Sequence, residues 1–372
     1  MESFSPKKSR VLFVCPSLAG GGAERMLCHL LRNWDRQRFE IQLLLFSAQG
    51  AFLADLPKEI VLHNLGKKRK TDIFRLILTL AFSIIPQLKP MVIISFLWYA
   101  NLVVLLASLL ARFKPKVVIS ERISIRHEPG HQNPLVRLAV RLLYPQAKAI
   151  VAVSNPIASQ LRRIAPCAKI VVIPNGLDFA FLQTKAKSLP EDDCFLNYHG
   201  LKIVACGRLT AQKNYQILLK ALHQLPPEYN FKLFILGEGE LRPALEKLIE
   251  QYGLKAKIIF LGFKPNPYPF LSRADIFVHT ANYEGFSNVV LEAMGLGLAI
   301  IATDCPSGPG AVIRSGLTGL LVRPNSPQDL ACGLKLLIEN ASLRAQLKAK
   351  AFEEAQKYSI KKIVCQYEGL CQ

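Results

Sequence analysis

Glu284 and Glu292 stand with seven residues between them in the stretch 275–310, with a short apolar strand before them and a buried one after. The strand Ile276-Phe277-Val278 leads into a polar turn, Tyr283-Glu284-Gly285-Phe286-Ser287. A helix follows over 288–294, closed by Gly295 and Gly297, and a second strand covers 298–302. A carboxylate at Glu292 can accept both hydroxyls of a ribose, and Glu284 can accept those of a sugar held near phosphates. The backbone N–H groups from Gly285 through Phe286 and Ser287 to Asn288 open the helix, and such a terminus suits an anion. Gly285, without a side chain, and apolar Phe286 let a ligand approach the main chain.

A second constellation lies upstream. Leu201 to Cys206 reads as a strand, and Gly207-Arg208-Leu209-Thr210-Ala211-Gln212-Lys213-Asn214 follows it as a loop. A departing diphosphate needs its growing negative charge neutralised, and Arg208 with Lys213 can do that without a metal. Two basic residues five apart on a loop can equally be solvated, as two glutamates can on an ordinary helix. Three glycines, Gly20, Gly21 and Gly22, come directly after the first strand and before Glu24 and Arg25. They form either a tight turn or a backbone cradle whose amides face a ligand.

Strand, loop, helix, strand is the unit of a parallel sheet, and such sheets bind ligands at the carboxyl ends of their strands. Further strands are read at 10–15, 40–46, 60–63, 92–95, 116–119, 149–154, 170–173, 231–236 and 258–264. Helical segments separate them, which makes the chain α/β with parallel sheets. Residues 91–113 are almost uniformly apolar, but Tyr99 and Asn101 break the run. A strand and a core helix account for it without a membrane span. The Asn-Gly pair in Pro174-Asn175-Gly176-Leu177-Asp178 is a turn signal, and 179–200 reads as a polar, irregular linker.

At 372 residues the chain can hold two domains, and 51% hydrophobic residues make it globular rather than disordered. Nine cysteines without a C-x-x-C pair read as reduced thiols in a cytosolic protein. The amino terminus lacks a secretory pattern. Residues 1–190 carry 27 Lys+Arg and 10 Asp+Glu, a net of +17; residues 191–372 carry 20 and 17, a net of +3. A basic half can attract nucleic acid, anionic lipid or a diphosphate-bearing acceptor. With no nucleic-acid motif and long aliphatic runs between the charges, the membrane surface is the expected partner and nucleic acid is not. Lys67-Lys68-Arg69-Lys70 precedes the apolar segment 73–88, too short to span a bilayer. That segment is either an interfacial anchor or a helix buried against the sheet.

These phrases resemble those of the retaining glycosyltransferases of family 4, with Glu284 and Glu292 as the E-x7-E pair. The run EGFSNVVLEAMGLGLAIIATDCPSGP is similar to the donor site of bacterial members that extend glycans on lipid carriers. GGGAER at 20–25, Arg208 and Lys213 in G-R-L-x-x-x-K-N, and P-N-G-x-D at 174–178 resemble further family phrases. Ser120-Glu121-Arg122 is similar to the SERN phrase, with Ile123 in place of its Asn.

The resemblance implies the GT-B fold: two doubly wound, Rossmann-like domains facing across a cleft. Residues 1–185 would bind the acceptor and 186–354 the nucleotide sugar, with a last helix at about 355–372 packing back on the first domain. It implies that Glu284, His127, Arg208 and Lys213 act on the reacting sugar and leaving diphosphate; His131 competes with His127 for its role. Gly21, Gly22, Gly239, Phe263, Lys264, Gly285, Phe286, Ser287, Asn288 and Glu292 would complete the donor site. Gly20, Glu24, Arg25, Glu121 and Arg122 would meet the acceptor.

The implied reaction moves a hexose or N-acetylhexosamine from a UDP-linked donor to a lipid-linked glycan, with retention through a front-face displacement. The enzyme would be peripheral, at the inner face of the cytoplasmic membrane. With no D-x-D phrase in the chain, no metal or other cofactor is expected. The alternatives are transfer to a lipopolysaccharide core or other glycolipid, a nucleotide-sugar 2-epimerase, and a non-enzymatic nucleic-acid or lipid-headgroup binder on the same frame.

Overall fold

Apolar runs of three to seven residues form two parallel sheets, and the chain divides into two compact units around them. The structure, a computed structural model, describes residues 8–124 and 133–372. One unit comprises 1–176 and 360–372, the other 177–359.

The first unit holds β1 (Ser9–Cys15), β2 (Phe39–Leu45), β3 (Val61–Asn64), β4 (Val92–Phe96), β5 (Lys116–Glu121), β6 (Ala149–Ala152) and β7 (Ile170–Val172). Their order in the sheet is β3-β2-β1-β4-β5-β6-β7, every pair parallel. Alternate residues of β1, Val11, Phe13 and Cys15, meet Leu27 and Leu31 of helix Gly22–Asn33 and Trp34, which ends it. The same layer takes Ile363, Val364 and Tyr367 from the last helix, Ile360–Leu370. That helix thus belongs to the first unit. Leu12, Val14 and Ile93 are buried on the opposite face, where helix Trp98–Leu110 packs.

The second unit holds β8 (Leu201–Cys206), β9 (Phe231–Leu236), β10 (Ile258–Gly262), β11 (Ile276–His279), β12 (Ala299–Thr303) and β13 (Leu320–Val322), in the order β10-β9-β8-β11-β12-β13. Ile203, Ile235, Ile276 and Val278 pack with Leu218 and Leu222 of helix Tyr215–His223 and with Leu334 of helix Pro327–Glu339. Each sheet runs outward from its first strand in both directions. The strand order therefore reverses between β1 and β4, and between β8 and β11, where such sheets open a crevice.

Four expectations change. The division falls after Gly176, not at 185. Residues 179–200 are not an irregular linker: they contain helices Phe179–Ala186 and Asp193–Leu196. Asp178 and Asp192 cap them, accepting from the N–H groups of Phe181 at 3.1 Å and Phe195 at 2.8 Å. Leu177, Phe179 and Leu182 lie so close to Gly295 that a Cβ there would sit 2.2 Å from Leu177, which places this helix in the second unit. The segment 73–88 is not one helix but Ile73–Thr79, a wide turn at Leu80–Ile84, and Ile85–Leu88. Pro86 lacks the N–H and clashes with a regular preceding turn, and the wide turn absorbs it. Finally, β13 has only three residues, too few to show as a periodic run. Among the described residues, no helix is long and apolar enough to cross a membrane.

Candidate active site at the carboxyl ends of β8 and β11

The loop after β8 carries Arg208 and Lys213, and the loop after β11 carries Glu284. Because β8 and β11 are neighbours, residues some seventy positions apart are brought side by side. Lys213 Nζ lies 2.5 Å from Glu284 Oε1, with the two side chains only 17% and 10% exposed. His279, the last residue of β11, is buried; its Nε2 is 3.2 Å from the same oxygen and 3.1 Å from Ser287 Oγ.

Burial pushes the Glu284 pKa up, but Lys213 and the hydrogen bond from His279 more than offset it, holding the group at about 2. Burial, with Lys213 acting in the same direction, pushes the imidazole of His279 down. The pair at the centre is therefore a carboxylate beside an ammonium, with a neutral histidine donating to the carboxylate.

The two loops are stitched together. Asn282 N–H donates to the Gln212 carbonyl at 2.8 Å and Asn282 Nδ2 to that of Ala211 at 2.9 Å. Gln212 Nε2 donates to the Tyr283 carbonyl at 3.1 Å, and Thr280 Oγ1 to that of Lys213 at 2.9 Å. Arg208 is exposed, and among the described residues it has no ion pair. Lys213 is thus held in place by Glu284, whereas the Arg208 side chain stands exposed to solvent.

Helix Asn288–Gly295 begins beside this pair, its first amides following Ser287. Glu292, one turn inside, is buried and accepts from Tyr268 Oη at 3.2 Å. Glycine permits the tight backbone here. Gly237, at φ +149°, lies against the Gly207 carbonyl, and a Cβ on it would come within 2.0 Å of that oxygen. A Cβ on Gly239 would meet the Leu209 carbonyl at 2.4 Å. The exits of β8 and β9 are therefore in backbone contact, and Gly237 N–H reaches the Gly262 carbonyl at the end of β10 at 2.8 Å. Phe263, 54% exposed, and Lys264 follow directly. The arrangement gathers two cations, two carboxylates and a row of amides at one edge of one sheet, a set that can hold a diphosphate and hydroxyl-bearing rings.

Residues 20–181 match the family described as Glycosyltransferase Family 4, and residues 196–354 match Glycosyl transferases group 1. An N-acetylgalactosamine-N,N'-diacetylbacillosaminyl-diphospho-undecaprenol 4-alpha-N-acetylgalactosaminyltransferase of Campylobacter jejuni is 30% identical over 362 residues, covering 93% of this chain and 95% of that one. The chain belongs to glycosyltransferase family 4. The transferase is also 26% identical to the lipopolysaccharide core biosynthesis glycosyltransferase LpsD of Rhizobium meliloti, over 94% of both chains. Its fold is similar to that of HepE from Anabaena, solved with UDP-glucose, at a TM-score of 0.80, 22% identity and coverage of 97% and 98%. It is likewise similar to the lipopolysaccharide outer core galactosyltransferase WaaB, at a TM-score of 0.75, 19% identity and coverage of 97% and 98%. Two Rossmann-like α/β domains of the GT-B type are the architecture of this family member.

The remaining expected site residues of the transferase lie in its first unit. Gly20, at φ +121°, and Gly21 follow β1, and Gly21 precedes helix Gly22–Asn33. Glu24 folds over that start: a Cβ on Gly21 would be 2.4 Å from its Oε2. The Arg25 guanidinium covers the Phe52 ring at 5.0 Å. Glu121 and Arg122 are buried, and both are engaged by neighbouring side chains. Glu121 accepts from Asn101 Nδ2 at 2.9 Å and from Tyr144 Oη. Arg122 donates to Asn175 Oδ1 and, at 2.7 Å, to Tyr367 Oη, with its guanidinium 4.7 Å from the Phe96 ring centre. His127 lies outside the described residues.

Sequence reasoning missed His279, Tyr268, and the Asn282–Gln212 stitching. The apolar run ends at Val278, whereas the strand itself extends to His279. A histidine closing an apolar strand five residues before a candidate glutamate was the available signal.

Proposed function

We propose that this glycosyltransferase moves a hexose or N-acetylhexosamine from a UDP-sugar to a lipid-linked glycan at a membrane surface, with retention at the anomeric carbon and without a metal. The observation that carries the reading is the Lys213–Glu284 contact where β8 meets β11. Lys213 and Arg208 take the negative charge of the leaving diphosphate, with the amides opening helix Asn288–Gly295 beside them. Glu284 accepts hydroxyls of the transferred sugar, and Glu292, steadied by Tyr268, those of the ribose. In a front-face displacement the C1–O bond to the diphosphate breaks as the acceptor oxygen arrives on the same face. The freed phosphate oxygen takes the acceptor's proton, so no protein nucleophile is required.

The Campylobacter relative acts on a diphospho-undecaprenol-linked saccharide and HepE binds UDP-glucose, and both support this choice of substrates. The Rhizobium relative supports a second reading, transfer to a lipopolysaccharide core. Incubating the full chain with UDP- and GDP-sugars and either a polyprenyl-diphosphate saccharide or a core oligosaccharide, then reading products by mass spectrometry, separates the two. The expected product is an extended polyprenyl-linked glycan, formed equally in excess EDTA and lost with Glu292→Ala. Donor conversion without an acceptor, or activity that returns only with manganese, counts against the proposal.

A further inference from the structure

The first unit carries an apolar face that its described residues leave exposed. Helix Pro134–Leu143 buries only Val140, while Leu135, Leu138 and Leu142 are 74%, 53% and 61% exposed. Spacings of three and four place these leucines in one row. The helix is locally well formed: the Asn133 side chain accepts from the Leu135 N–H at 2.9 Å, and Pro134 opens its first turn. A second row stands on the segment after β3, where Phe74, Leu78 and Phe82 are 76%, 50% and 60% exposed. Helix Trp98–Leu110 packs against both segments, and its end adds exposed Leu109 and Leu110. All three lie on the sheet face opposite helices Gly22–Asn33 and Ile360–Leu370.

Charge decides what covers such a face. The segments 65–91, 98–116 and 133–148 hold twelve Lys and Arg and one acid, Asp72. Asp72 is engaged locally, accepting from the N–H groups of Lys68 at 2.8 Å and Arg69 at 3.1 Å and lying 3.4 Å from Arg75. Lys68, Arg69, Arg75, Lys89, Arg112, Lys114, Arg137 and Arg141 are exposed beside the apolar rows. A second copy of this chain would bring the same cations against one another, which disfavours self-pairing. An anionic bilayer offers both partners together: acyl chains for leucine and phenylalanine, headgroup phosphates for lysine and arginine.

We propose that this face docks the transferase on an anionic lipid bilayer, with helix Pro134–Leu143 in the headgroup region and Leu135, Leu138 and Leu142 toward the acyl chains. Helix Ile73–Thr79 and the turn after it form the second contact. The proposal deepens, and rests on, the membrane-surface part of the functional reading; nucleotide binding by the second unit is measured apart from it.

The test floats the full chain with vesicles of phosphatidylcholine alone or with about one-third phosphatidylglycerol. Wild type should float with the anionic vesicles only, and less so at high salt. Leu135→Ser, Leu138→Ser and Leu142→Ser combined should weaken flotation by roughly tenfold or more. The unfolding midpoint and UDP-induced thermal shift of that variant should stay unchanged. In a separate variant, Leu138→Trp, fluorescence should be quenched by lipids brominated on their acyl chains. Undiminished flotation of the triple variant, an unquenched tryptophan, or a dimer that the three serines dissolve would each overturn the proposal. Loss of the UDP shift in wild type would strike the donor reading and leave the docking face standing.

Discussion

Glu284 keeps its charge in a buried place because Lys213 and His279 both converge on one of its oxygens. This gives the second unit a defined acid response. The Glu284 pKa falls from 4.5 to about 2 on folding, so its contribution is complete above pH 4.5 and is lost as the pH drops toward 2. The His279 pKa is lowered from 6.5. Below that pH the unfolded chain binds a proton that the folded chain refuses, so stability falls as the medium is acidified. Cys305, whose thiol burial pushes up to about 12, keeps its charge state across this window. The second unit should therefore lose stability in two steps, the first beginning near pH 6.5. His279→Gln retains a donor but takes up no proton, and should remove the first step, worth up to about 1.4 kcal/mol per pH unit. Urea midpoints of wild type and variant between pH 7 and 5 check this. Parallel curves would show that His279 does not titrate as its surroundings require.

At the scale of the elements, the site depends on loops that approach each other more closely than side chains allow. Gly237 and Gly253 make a controlled pair, since both have positive φ, +149° and +67°, but only Gly237 has a carbonyl against it. Gly237→Ala should cost about 3 kcal/mol or more, with weakened UDP binding as the β8 exit shifts. Gly253→Ala, which meets open space, should cost about 1 kcal/mol and leave binding intact. Equal losses in thermal unfolding would mean that backbone strain alone, and not the contact with Gly207, sets the effect.

The strands at this edge were legible in the sequence because each is a short apolar run closed by glycine, proline or charge. Arg208, Lys213, Glu284 and Glu292 were legible as charged residues beside those closures. The Lys213–Glu284 contact itself was not, because spacing along the chain does not say that β8 and β11 are neighbours; the crossover in sheet order does. His279 and Tyr268 are ordinary core residues by type, and only their distances to carboxylates separate them from the rest. The partners of Glu121 and Arg122 were likewise not legible. Polar residues after a strand look available, yet Asn101, Tyr144, Asn175 and Tyr367, from four distant segments, take up their polar atoms.

For the whole molecule, the last helix decides how the chain's stability is divided. Ile360–Leu370 follows the second unit in sequence but completes the core of the first, where Ile360, Ile363, Val364 and Tyr367 are all at most 3% exposed. A Cβ on Gly176 would lie 2.9 Å from the Ile360 backbone, and the Glu368 carboxylate accepts from the Asp35 N–H at 2.9 Å. The central contact is polar. Arg122, buried beneath Phe96 and Tyr367, has its pKa lowered by that burial and depends on the Tyr367 hydroxyl for one of its donors. Its Nε is already without a hydrogen-bond partner among the described residues. Tyr367→Phe keeps the ring and removes the oxygen, leaving a second guanidinium donor unmet in an apolar setting, at a cost of about 1–3 kcal/mol. Because the second unit has its own core, that loss should fall on the first unit alone. Hydrogen exchange read by mass spectrometry should then show faster opening in β1, β4 and β5 and unchanged protection in β8, β11 and β12, with the UDP-induced thermal shift retained. Equal loosening of both sheets would mean that the helix holds the whole chain together rather than its first unit.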